Sequence, residues 1–544
     1  MFLKSLILSL FASTLLAVTS VQAVEPNRSA PQGGVFNYNF DIEPESIHPI
    51  MSGDAYEQYL AAYVHDFLCT NNLETYEYEP RLAEKWDISK DGLTFTFYLR
   101  KDAYFHNGDN VTADDVKFSL DAIREPKHQA LNTLPYVEKL TKVEVLDKYT
   151  IRFTASEKYF KNFGSICGII RILPKSVYGN IDKSVKMQKE AVGAGPYKIE
   201  KYDKGQSITV KKFDKWYGDK VPALKGFYNF EKINFRFTKD DNIMVERFKK
   251  GELDFAEMKT VDQFLKAKAG SEGKSFYAKN VVSQKPKSYG YIGFNFKNEV
   301  LQDLNVRMAF AHLVNRAEMN KKFRNNMSDL ANGPVSVNSN QAADMKPIEF
   351  SPKKAQELLK KSGWADADKN GILEKEINGK KVELKISLIY ANKYNEKYWT
   401  MIKEDAKKAG LELELKFLEW NSFLKTIEDS SRFDLYAMAW GGGDIEMDPK
   451  QIWHSTSSGK GGSNRGYYAN PEVDKLIDVG RAELDPAKRT VIFKKAYTLI
   501  AKDVPYVFLF NNKFEFYAHS NKIKKVADTF KYDFGHETWW SAAK

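Results

Sequence analysis

Residues 80–100 read PRLAEKWDISKDGLTFTFYLR, and their pattern indicates two strands joined by a tight turn. Asp91-Gly92 favours a two-residue hairpin turn, because glycine adopts a positive φ without steric cost. Apolar and polar residues alternate after the turn, as they do on a strand with one buried face. The residues predicted to face a core are Leu93, Phe95, Phe97 and Leu99.

Residues 104–116, YFHNGDNVTADDV, follow this hairpin and predict a turn that leads into a helix. Thr112 is the expected N-cap, and Asp115 at the third helical position completes a capping box. His106 stands beside Asn107-Gly108, and we interpret it as a turn residue rather than a catalytic base.

The motifs between Leu82 and Ser119 occur in the order Leu-Ala-Glu-x-Trp, Asp-Gly-Leu-Thr-aromatic, Leu-Arg, Phe-His-x-Gly and Thr-Ala-x-Asp-Val. This order resembles the extracytoplasmic solute-binding proteins of family 5, the oligopeptide and dipeptide class. The resemblance continues through AVGAGPYK at 191–198, GFNF at 293–296, VRMAFA at 306–311 and NPEVDKL at 470–476. Residues 241–254 and the ending ETWW at 537–540 resemble the Yej-type branch, whereas EPES at 43–46 is closer to the general family pattern.

The resemblance implies an α/β fold of the periplasmic binding protein-like type (type II, cluster C). Two lobes and an extra α/β subdomain would then enclose a cleft between the lobes. The implied division is a signal peptide at 1–23, lobe I at 24–58, an inserted subdomain II at 59–176, lobe I again at 177–290, lobe III at 291–510 and a C-terminal return to lobe I at 511–544. A strand, helix and strand expected across 382–418 fit an α/β lobe.

The first residues have the pattern of a cleaved export signal. Lys4 supplies the positive charge, residues 6–18 are apolar, and Val21-Gln22-Ala23 is a small-residue cleavage pattern. An uncleaved anchor helix is the alternative, although the apolar run is short for a membrane span. No Cys follows the site, so we expect a periplasmic protein without a lipid anchor.

Roughly 520 residues remain after the signal, more than one hydrophobic core usually organises, so at least two lobes are expected. The formal net charge of the whole chain is +10. Its lysines are scattered rather than blocked, which indicates a solvated surface rather than a nucleic-acid groove. We therefore expect no nucleic-acid partner.

Cys69 and Cys167 are the only two cysteines in the chain. Export to an oxidising compartment favours a disulfide between them, although two buried free thiols would give the same sequence. Two distant cysteines without clustered histidines do not predict a metal site.

Residues 437–449, AMAWGGGDIEMDP, form an apolar run that is followed by glycines and acids. The run from 433 to 440 predicts a buried strand that ends at Gly441, because it is short, mostly apolar and stopped by glycine. A ligand-facing loop would then present a tryptophan, three glycines and three carboxylates: Trp440, Gly441, Gly442, Gly443, Asp444, Glu446 and Asp448.

The resemblance implies a role for this loop, because an acid shortly after such a strand end pairs with the ligand's α-amino group in peptide-binding members. The usual register, three residues after the tryptophan, falls on Gly443, and a count back from Asp448-Pro449 falls on Ile445. Asp444 lies between the two registers and is the predicted partner, with Glu446 and Asp448 as alternatives and a simple loop-capping role as the plainer interpretation. Glu43 is assigned to the ligand site as well.

The sequence gives little support for catalysis. It has no Gly-x-Ser-x-Gly nucleophile elbow, and its eight histidines are dispersed without a His-Glu-x-x-His motif. Paired acids near Asp444 could serve a glycosidase, since that chemistry needs two carboxylates at the right separation. We predict no enzymatic activity, no catalytic residues and no cofactor.

Two charged motifs have simple structural interpretations. Residues 366–371, DADKNG, resemble the start of a calcium loop, but the twelfth position is Ile377, so a hairpin turn without metal is expected. Arg307 could bind an anion, and pairing with Asp303 one helical turn earlier is the favoured alternative.

These observations predict a monomeric periplasmic receptor that captures short peptides. It would deliver them to a membrane ABC permease with cytoplasmic ATPase subunits, closing on the ligand by hinge motion. The alternatives are a receptor for another solute, such as a nickel chelate or an oligosaccharide, and a secreted hydrolase.

Overall fold

The structure is a computed structural model that describes residues 23–51, 55–130, 133–271, 275–285, 287–442, 445–459 and 462–542. Nearly all of the predicted signal peptide lies outside these residues. Within the described ranges, no helix has both the length and the apolar character needed to cross a membrane.

The strands of the described residues are numbered in chain order. They are β1 (Val35–Phe40), β2 (Cys69–Asn71), β3 (Tyr78–Pro80), β4 (Ala83–Ile88), β5 (Thr94–Leu99), β6 (Leu140–Asp147), β7 (Thr150–Ala155), β8 (Tyr197–Asp203), β9 (Ser207–Lys212), β10 (Lys232–Phe237), β11 (Phe255–Met258), β12 (Phe276–Val281), β13 (Tyr289–Phe294), β14 (Ser328–Leu330), β15 (Glu374–Ile377), β16 (Lys380–Glu383), β17 (Lys385–Tyr390), β18 (Glu412–Phe417), β19 (Leu435–Trp440), β20 (Tyr506–Asn512), β21 (Glu515–Ser520), β22 (Ile523–Lys524) and β23 (Trp540–Ser541).

The α-helices are numbered in the same way. They are α1 (Ala55–Val64), α2 (Ala113–Arg124), α3 (Leu134–Val137), α4 (Asn162–Gly168), α5 (Lys175–Tyr178), α6 (Ile181–Ser184), α7 (Asp241–Lys249), α8 (Val261–Ser271), α9 (Glu299–Gln302), α10 (Leu304–His312), α11 (Arg316–Arg324), α12 (Pro352–Lys361), α13 (Glu396–Lys408), α14 (Trp420–Ile427), α15 (Lys450–Trp453), α16 (Pro471–Ala482) and α17 (Pro486–Asp503).

Lobe I is built on a seven-stranded mixed sheet with the order β12-β21-β11-β1-β10-β9-β8. Its central strand β1 pairs in parallel with β10 and β11. Phe36, Tyr38 and Phe40 of this strand are buried. Phe36 stacks on Phe230 with ring centroids 4.7 Å apart. An aromatic core therefore holds together strands that come from distant parts of the chain.

Subdomain II contains a four-stranded antiparallel sheet with the order β4-β5-β7-β6. Phe95, Phe97 and Leu99 of β5 are buried, as the alternation predicts. The capping box at the start of α2 is confirmed, because the amide and the hydroxyl of Thr112 donate to Oδ2 of Asp115 at 3.0 and 2.7 Å.

Lobe III is built on a six-stranded sheet with the order β14-β20-β13-β19-β17-β18. Strands β13 and β19 are antiparallel, and Tyr289 lies opposite Trp440. The seven-, six- and four-stranded sheets confirm the predicted α/β architecture of two lobes with an extra subdomain.

Two short segments connect the sheet of lobe I to the sheet of lobe III. They are residues 282–288, between β12 and β13, and residues 513–514, between β20 and β21. We call them the hinge. The paired residues at its two ends are Val281 with Glu515 and Tyr289 with Asn511. Lys287 forms a partly buried ion pair with Glu515, the first residue of β21, across the hinge. The chain therefore crosses between the two lobes twice, at adjacent positions.

Cys69 in β2 and Cys167 in α4 form a disulfide, with Cα atoms 4.9 Å apart and a sequence separation of 98. Both residues lie in the core of subdomain II. The bond ties β2 to α4, two elements that meet the cleft described below.

The predicted ion pair between Arg307 and Asp303 is wrong. The Arg307 guanidinium donates to backbone carbonyls at both sides of its helix, those of Leu301, Gln302, Asp503 and Val504. Asp303 instead caps α10 by accepting from the amide of Asn305 at 2.8 Å. Arg307 therefore bonds to carbonyls at the end of α17 instead of forming the predicted i, i+4 ion pair with Asp303.

His106 has the structural role that its turn indicates. Its Nδ1 accepts from the amide of Gly193 at 3.2 Å, and Nε2 lies 3.0 Å from the carbonyl oxygen of Gly195. Burial lowers the pKa of His106 to about 4. A neutral imidazole thus joins the two segments YFHNG and AVGAGPYK that carry the family resemblance.

Candidate functional site

A cleft of about 1940 Å³ lies between subdomain II and lobe III. One wall is formed by residues of β2, β3, α4 and the loop after β7. The opposite wall is formed by the end of β19, the loop that follows it, and the facing turns of α16 and α17. The described lining residues include six acidic and six basic side chains, so the cleft is polar and of mixed charge.

The predicted glycine-rich acidic loop lies in this cleft. Strand β19 ends at Trp440, and the lining includes Trp440, Ile445, Glu446, Met447 and Asp448. A Cβ built on Gly441 would meet nothing within 4 Å, so the loop leaves the sheet into open space. Gly443 and Asp444 lie outside the described residues.

Glu446 already has a cationic partner. Its Oε2 accepts from Nε of Arg489 at 3.1 Å and also from Nη2 of the same side chain. The Arg489 side chain is 5% exposed and that of Glu446 is 26% exposed. Two hydrogen bonds from one guanidinium hold this carboxylate in place.

Asp448 is held by contacts from both walls of the cleft. Its Oδ2 accepts from Nε of Arg481 and from the hydroxyl of Tyr159, both at 2.9 Å, and its Oδ1 accepts from the amide of Lys450 at 3.0 Å. Tyr159 belongs to subdomain II, whereas the other partners belong to lobe III. The bond from Tyr159 therefore bridges the cleft.

The pKa values near Asp448 follow from burial and charge. Burial and the Asp448 carboxylate raise the pKa of the Tyr159 phenol, so its hydroxyl keeps its proton and donates. Burial alone would lower the pKa of Arg481, but attraction to Asp448 outweighs it and the net change is upward. Both groups therefore keep the protonation states that the contact needs.

Trp440 lines the cleft and also packs on the core of lobe III. It stacks on Tyr291 with ring centroids 6.3 Å apart and planes 14° apart. Tyr291 in turn stacks on Tyr506 at 3.9 Å. The indole is half-buried, so one part of it supports the core while another part faces the cleft.

The disulfide fixes the subdomain wall of the cleft. Asn71 follows Cys69 on β2, and Ser165 and Gly168 flank Cys167 on α4; all three line the cavity. A Cβ on Gly164 would lie 2.3 Å from the Tyr78 hydroxyl, so a larger residue there would require the Tyr78 side chain to shift.

Glu43 lies elsewhere. Its carboxylate accepts from the hydroxyl of Tyr202 at 2.6 Å and from the amide of Gly205 at 3.0 Å, both in the β8–β9 hairpin region. It is absent from the described residues that line the cleft. These contacts hold the turn after β1, which carries Glu43, against the β8–β9 hairpin.

The cleft residues that sequence reasoning missed include Tyr159, Phe160, Arg481 and Arg489. The guanidinium of Arg481 lies 4.6 Å from the Tyr159 ring centroid, and that of Arg489 lies 4.6 Å from the Phe160 ring centroid. The only local signal was a pair of aromatic residues between Lys158 and Lys161. Their arginine partners lie more than 300 positions away, so spacing could not reveal them.

The two α/β lobes and the subdomain form a wide cleft, an arrangement suited to binding a solute, and the fold alone does not identify which one. The profile of the bacterial extracellular solute-binding proteins, family 5 (middle region), matches residues 77–463, more than half of the chain. The chain belongs to this family, whose members are solute-binding proteins of transporters.

Two relatives illustrate the similarity. The oligopeptide-binding protein AppA of Bacillus subtilis (strain 168) is 26% identical over 490 residues, which cover 88% of this chain and 86% of that protein. The dipeptide-binding protein of Escherichia coli (strain K12) is 25% identical over 496 residues, covering 86% of this chain and 87% of that protein.

Solved structures agree with the fold. AppA from Bacillus subtilis in complex with a nonapeptide matches with a TM-score of 0.73 and 25% identity, over 94% of this chain and 100% of that chain. NikA from Brucella suis in complex with Fe(III)-EDTA matches with a TM-score of 0.77 over 93% of this chain and 100% of that chain, and its 20% identity supports the fold alone.

Proposed function

We propose that this protein captures short peptides in the cleft between subdomain II and lobe III and delivers them to an ABC permease. The observation that carries the proposal is the cleft itself. Its volume of about 1940 Å³ exceeds the roughly 300–1,000 Å³ of pockets for drug-sized ligands. Such a space accommodates several residues of extended chain together with water, and the named relatives bind oligopeptides and dipeptides.

The proposed partner of the peptide's α-amino group is Asp444. Glu446 and Asp448, the other acids of the loop, are already hydrogen-bonded to Arg489 and Arg481. An added ammonium would compete with these guanidinium groups. A carboxylate opposite an ammonium gives a strong charge-assisted hydrogen bond when closure excludes water.

The loop would hold the peptide backbone as well. Gly441 and Gly442 are exposed at the end of β19, and glycine allows the close approach of another main chain. Backbone pairing fixes an extended peptide without reading its side chains, and Trp440 would contact its first residues.

The proposal extends to the protein's location and form. It describes an exported, periplasmic monomer whose signal peptide is removed after residue 23, without a lipid anchor, and which releases its ligand unchanged. The lobe limits given under Sequence analysis belong to the same proposal. Intact mass of the exported protein and light scattering test the cleavage site and the monomer.

Ligand identity is tested by mass spectrometry of the small molecules that denaturation releases from protein purified without refolding. A mixture of short peptides is the expected result. A metal chelate or a sugar would contradict the peptide proposal, and cleavage of added peptides or glycans would contradict a binding role. Calorimetry with a tripeptide and its N-acetylated form, which lacks the ammonium, provides the matched comparison.

A further inference from the structure

A second polar site lies far from the cleft, in the loop between α12 and β15. The carboxylates of Asp366, Asp368 and Glu374 each place an oxygen within 4.8 Å of the others. Within the described part of the chain, no other three His, Cys, Asp or Glu side chains meet this condition. Three like charges at this distance repel one another unless a cation lies among them.

Glu374 provides an independent indication that a cation binds here. The residue is 8% exposed, and its Oε1 accepts from the amides of Ala367 at 2.9 Å and Asp368 at 3.2 Å. Its Oε2 is buried and has no hydrogen-bond partner. A buried carboxylate oxygen without a partner carries a large desolvation cost. A cation coordinated by that oxygen would remove the cost.

The loop sequence has the order of a calcium site. In DADKNGILE at 366–374, Asp366, Asp368 and Asn370 occupy the first, third and fifth positions, and Gly371 the sixth. Gly371 adopts φ +87°, the left-handed conformation that such a turn requires. In other proteins, the twelve-residue calcium loop ends with a bidentate glutamate at position twelve. This chain has Ile377 at that position. Here the ninth residue, Glu374, lies beside the first two acids instead.

We propose that this loop binds Ca²⁺ through the carboxylates of Asp366, Asp368 and Glu374. The side-chain oxygen of Asn370 and the carbonyl of Ile372 are the further ligands that the loop order supplies. All five are hard oxygen donors, which suit Ca²⁺ and do not favour softer metals. Waters would complete the six to eight ligands that Ca²⁺ takes.

Lys381 marks the position of the expected positive charge. Its ammonium lies 2.6 Å from Oδ2 of Asp368 and 3.6 Å from Oε1 of Glu374. The Lys381 side chain is 55% exposed, so it can leave the site at little cost. The ammonium and the ion therefore compete for the same carboxylates.

Ion binding would fasten the hairpin β15–β16 to lobe III. The loop is closed by an isolated bridge between Ala365 and Glu374, and Leu373 donates from its amide to the carbonyl of Gly410 at 2.9 Å. None of these residues lines the cleft. The expected effect is a gain in stability that is separate from peptide binding.

The test is calorimetric titration of the purified protein with CaCl₂ after removal of metals with EDTA. We expect saturable binding of one ion with a Kd of about 10⁻⁴–10⁻³ M, the range of extracellular calcium modules, together with a rise in Tm. Mg²⁺ should bind more weakly, because it demands a more regular shell. Glu374→Gln should weaken Ca²⁺ binding at least about tenfold.

Matched variants keep the proposal falsifiable. Glu376→Gln changes an exposed acid of the same hairpin and should leave the Kd unchanged, whereas Lys381→Met should tighten binding several-fold. Asp368→Asn alters an exposed side chain, so its loss of binding can be measured even if Glu374→Gln fails to fold. The proposal would be overturned if the unaltered protein showed no saturable binding. It would also be overturned by equal Kd values for Asp368→Asn, Glu376→Gln and the unaltered protein. A Lys381→Met variant that binds Ca²⁺ no more tightly would overturn it as well.

Discussion

The hydroxyl of Tyr159 donates a hydrogen bond of 2.9 Å to Oδ2 of Asp448, joining subdomain II to lobe III across the cleft. The same oxygen accepts from Arg481 at 2.9 Å. Tyr159 is 9% exposed, so the bond is shielded from water and stronger than one at the surface. This contact would favour the closed arrangement of the two walls.

Tyr159→Phe should therefore weaken peptide binding. Loss of a hydrogen bond to a charged group costs about 1.5 kcal/mol, which corresponds to roughly tenfold in Kd. Calorimetry measures the affinity, and small-angle scattering of the ligand-free protein should show a larger radius of gyration. Tyr136→Phe alters a tyrosine at the exposed rim of the same cleft and is the control. Equal effects of the two variants would exclude the bridging role of Tyr159.

Asp444→Asn should reduce the affinity for peptides with a free amino terminus by about tenfold or more, because an ion pair becomes a neutral contact. The N-acetylated peptide should bind the variant and the unaltered protein equally weakly. Glu446→Gln, which changes an acid already paired with Arg489, should alter affinity much less. Unchanged affinity in Asp444→Asn would move the role to Glu446 or Asp448.

Arg489→Met should destabilise lobe III. The substitution leaves Glu446 without its partner in a site where the arginine is 5% exposed, and the expected loss is about 2–3 kcal/mol in the free energy of unfolding. Urea denaturation measures it. The double variant with Glu446→Gln should recover part of the loss, and a double variant as unstable as the sum of both single variants would argue against direct coupling.

Replacement of both cysteines by alanine should lower the free energy of unfolding by about 4 kcal/mol, because a loop of this length restricts the unfolded chain strongly. Thermal unfolding of the unaltered protein with and without a reductant provides a second measurement. The disulfide also fixes two cleft-lining elements, so peptide affinity should fall as well. A Tm that is insensitive to both treatments would contradict this role.

Glu537 should make stability depend on pH. Burial, and then the nearby Asp533 carboxylate, raise the pKa of Glu537 from 4.5 to about 7. Because the folded-state pKa lies above the unfolded one, its contribution to stability is complete below pH 4.5 and is lost as the pH rises through 7. The loss reaches about 3 kcal/mol at most.

Glu537→Gln removes this titration and should flatten the stability profile between about pH 5 and 8, which denaturation at several pH values measures. Glu252→Gln makes the same charge change at an exposed acid of lobe I and is the matched control. A profile that keeps its slope in Glu537→Gln would assign the pH dependence to other groups.

Local patterns predicted the parts of the fold that depend on neighbours in sequence. The Thr112–Asp115 capping box and the buried face of β5 follow from spacings of two to four residues. The seven-stranded sheet could not be derived in this way, because β1 pairs with strands more than 190 positions later. The length of the chain indicated at least two lobes, and the resemblance to a family, rather than periodicity, predicted the extra subdomain.

The site illustrates the same limit. Composition located the loop at 437–449, since glycines and acids after a buried strand are a local signal. The partners of its acids, Arg481, Arg489 and Tyr159, come from other elements, and no local spacing indicates them. Glu374 shows the same limit. The apolar residue at the twelfth position of its loop argued against a calcium site, and only the folded structure places Glu374, the ninth residue, beside Asp366 and Asp368.

The hinge limits how the two lobes can move relative to each other. Because the chain crosses between the lobes twice at adjacent positions, the two segments restrict the relative motion of the lobes more than a single linker would. If the protein delivers peptides as proposed, a permease that recognises the spacing of the two lobe surfaces would respond to lobe closure and not to the sequence of the bound peptide.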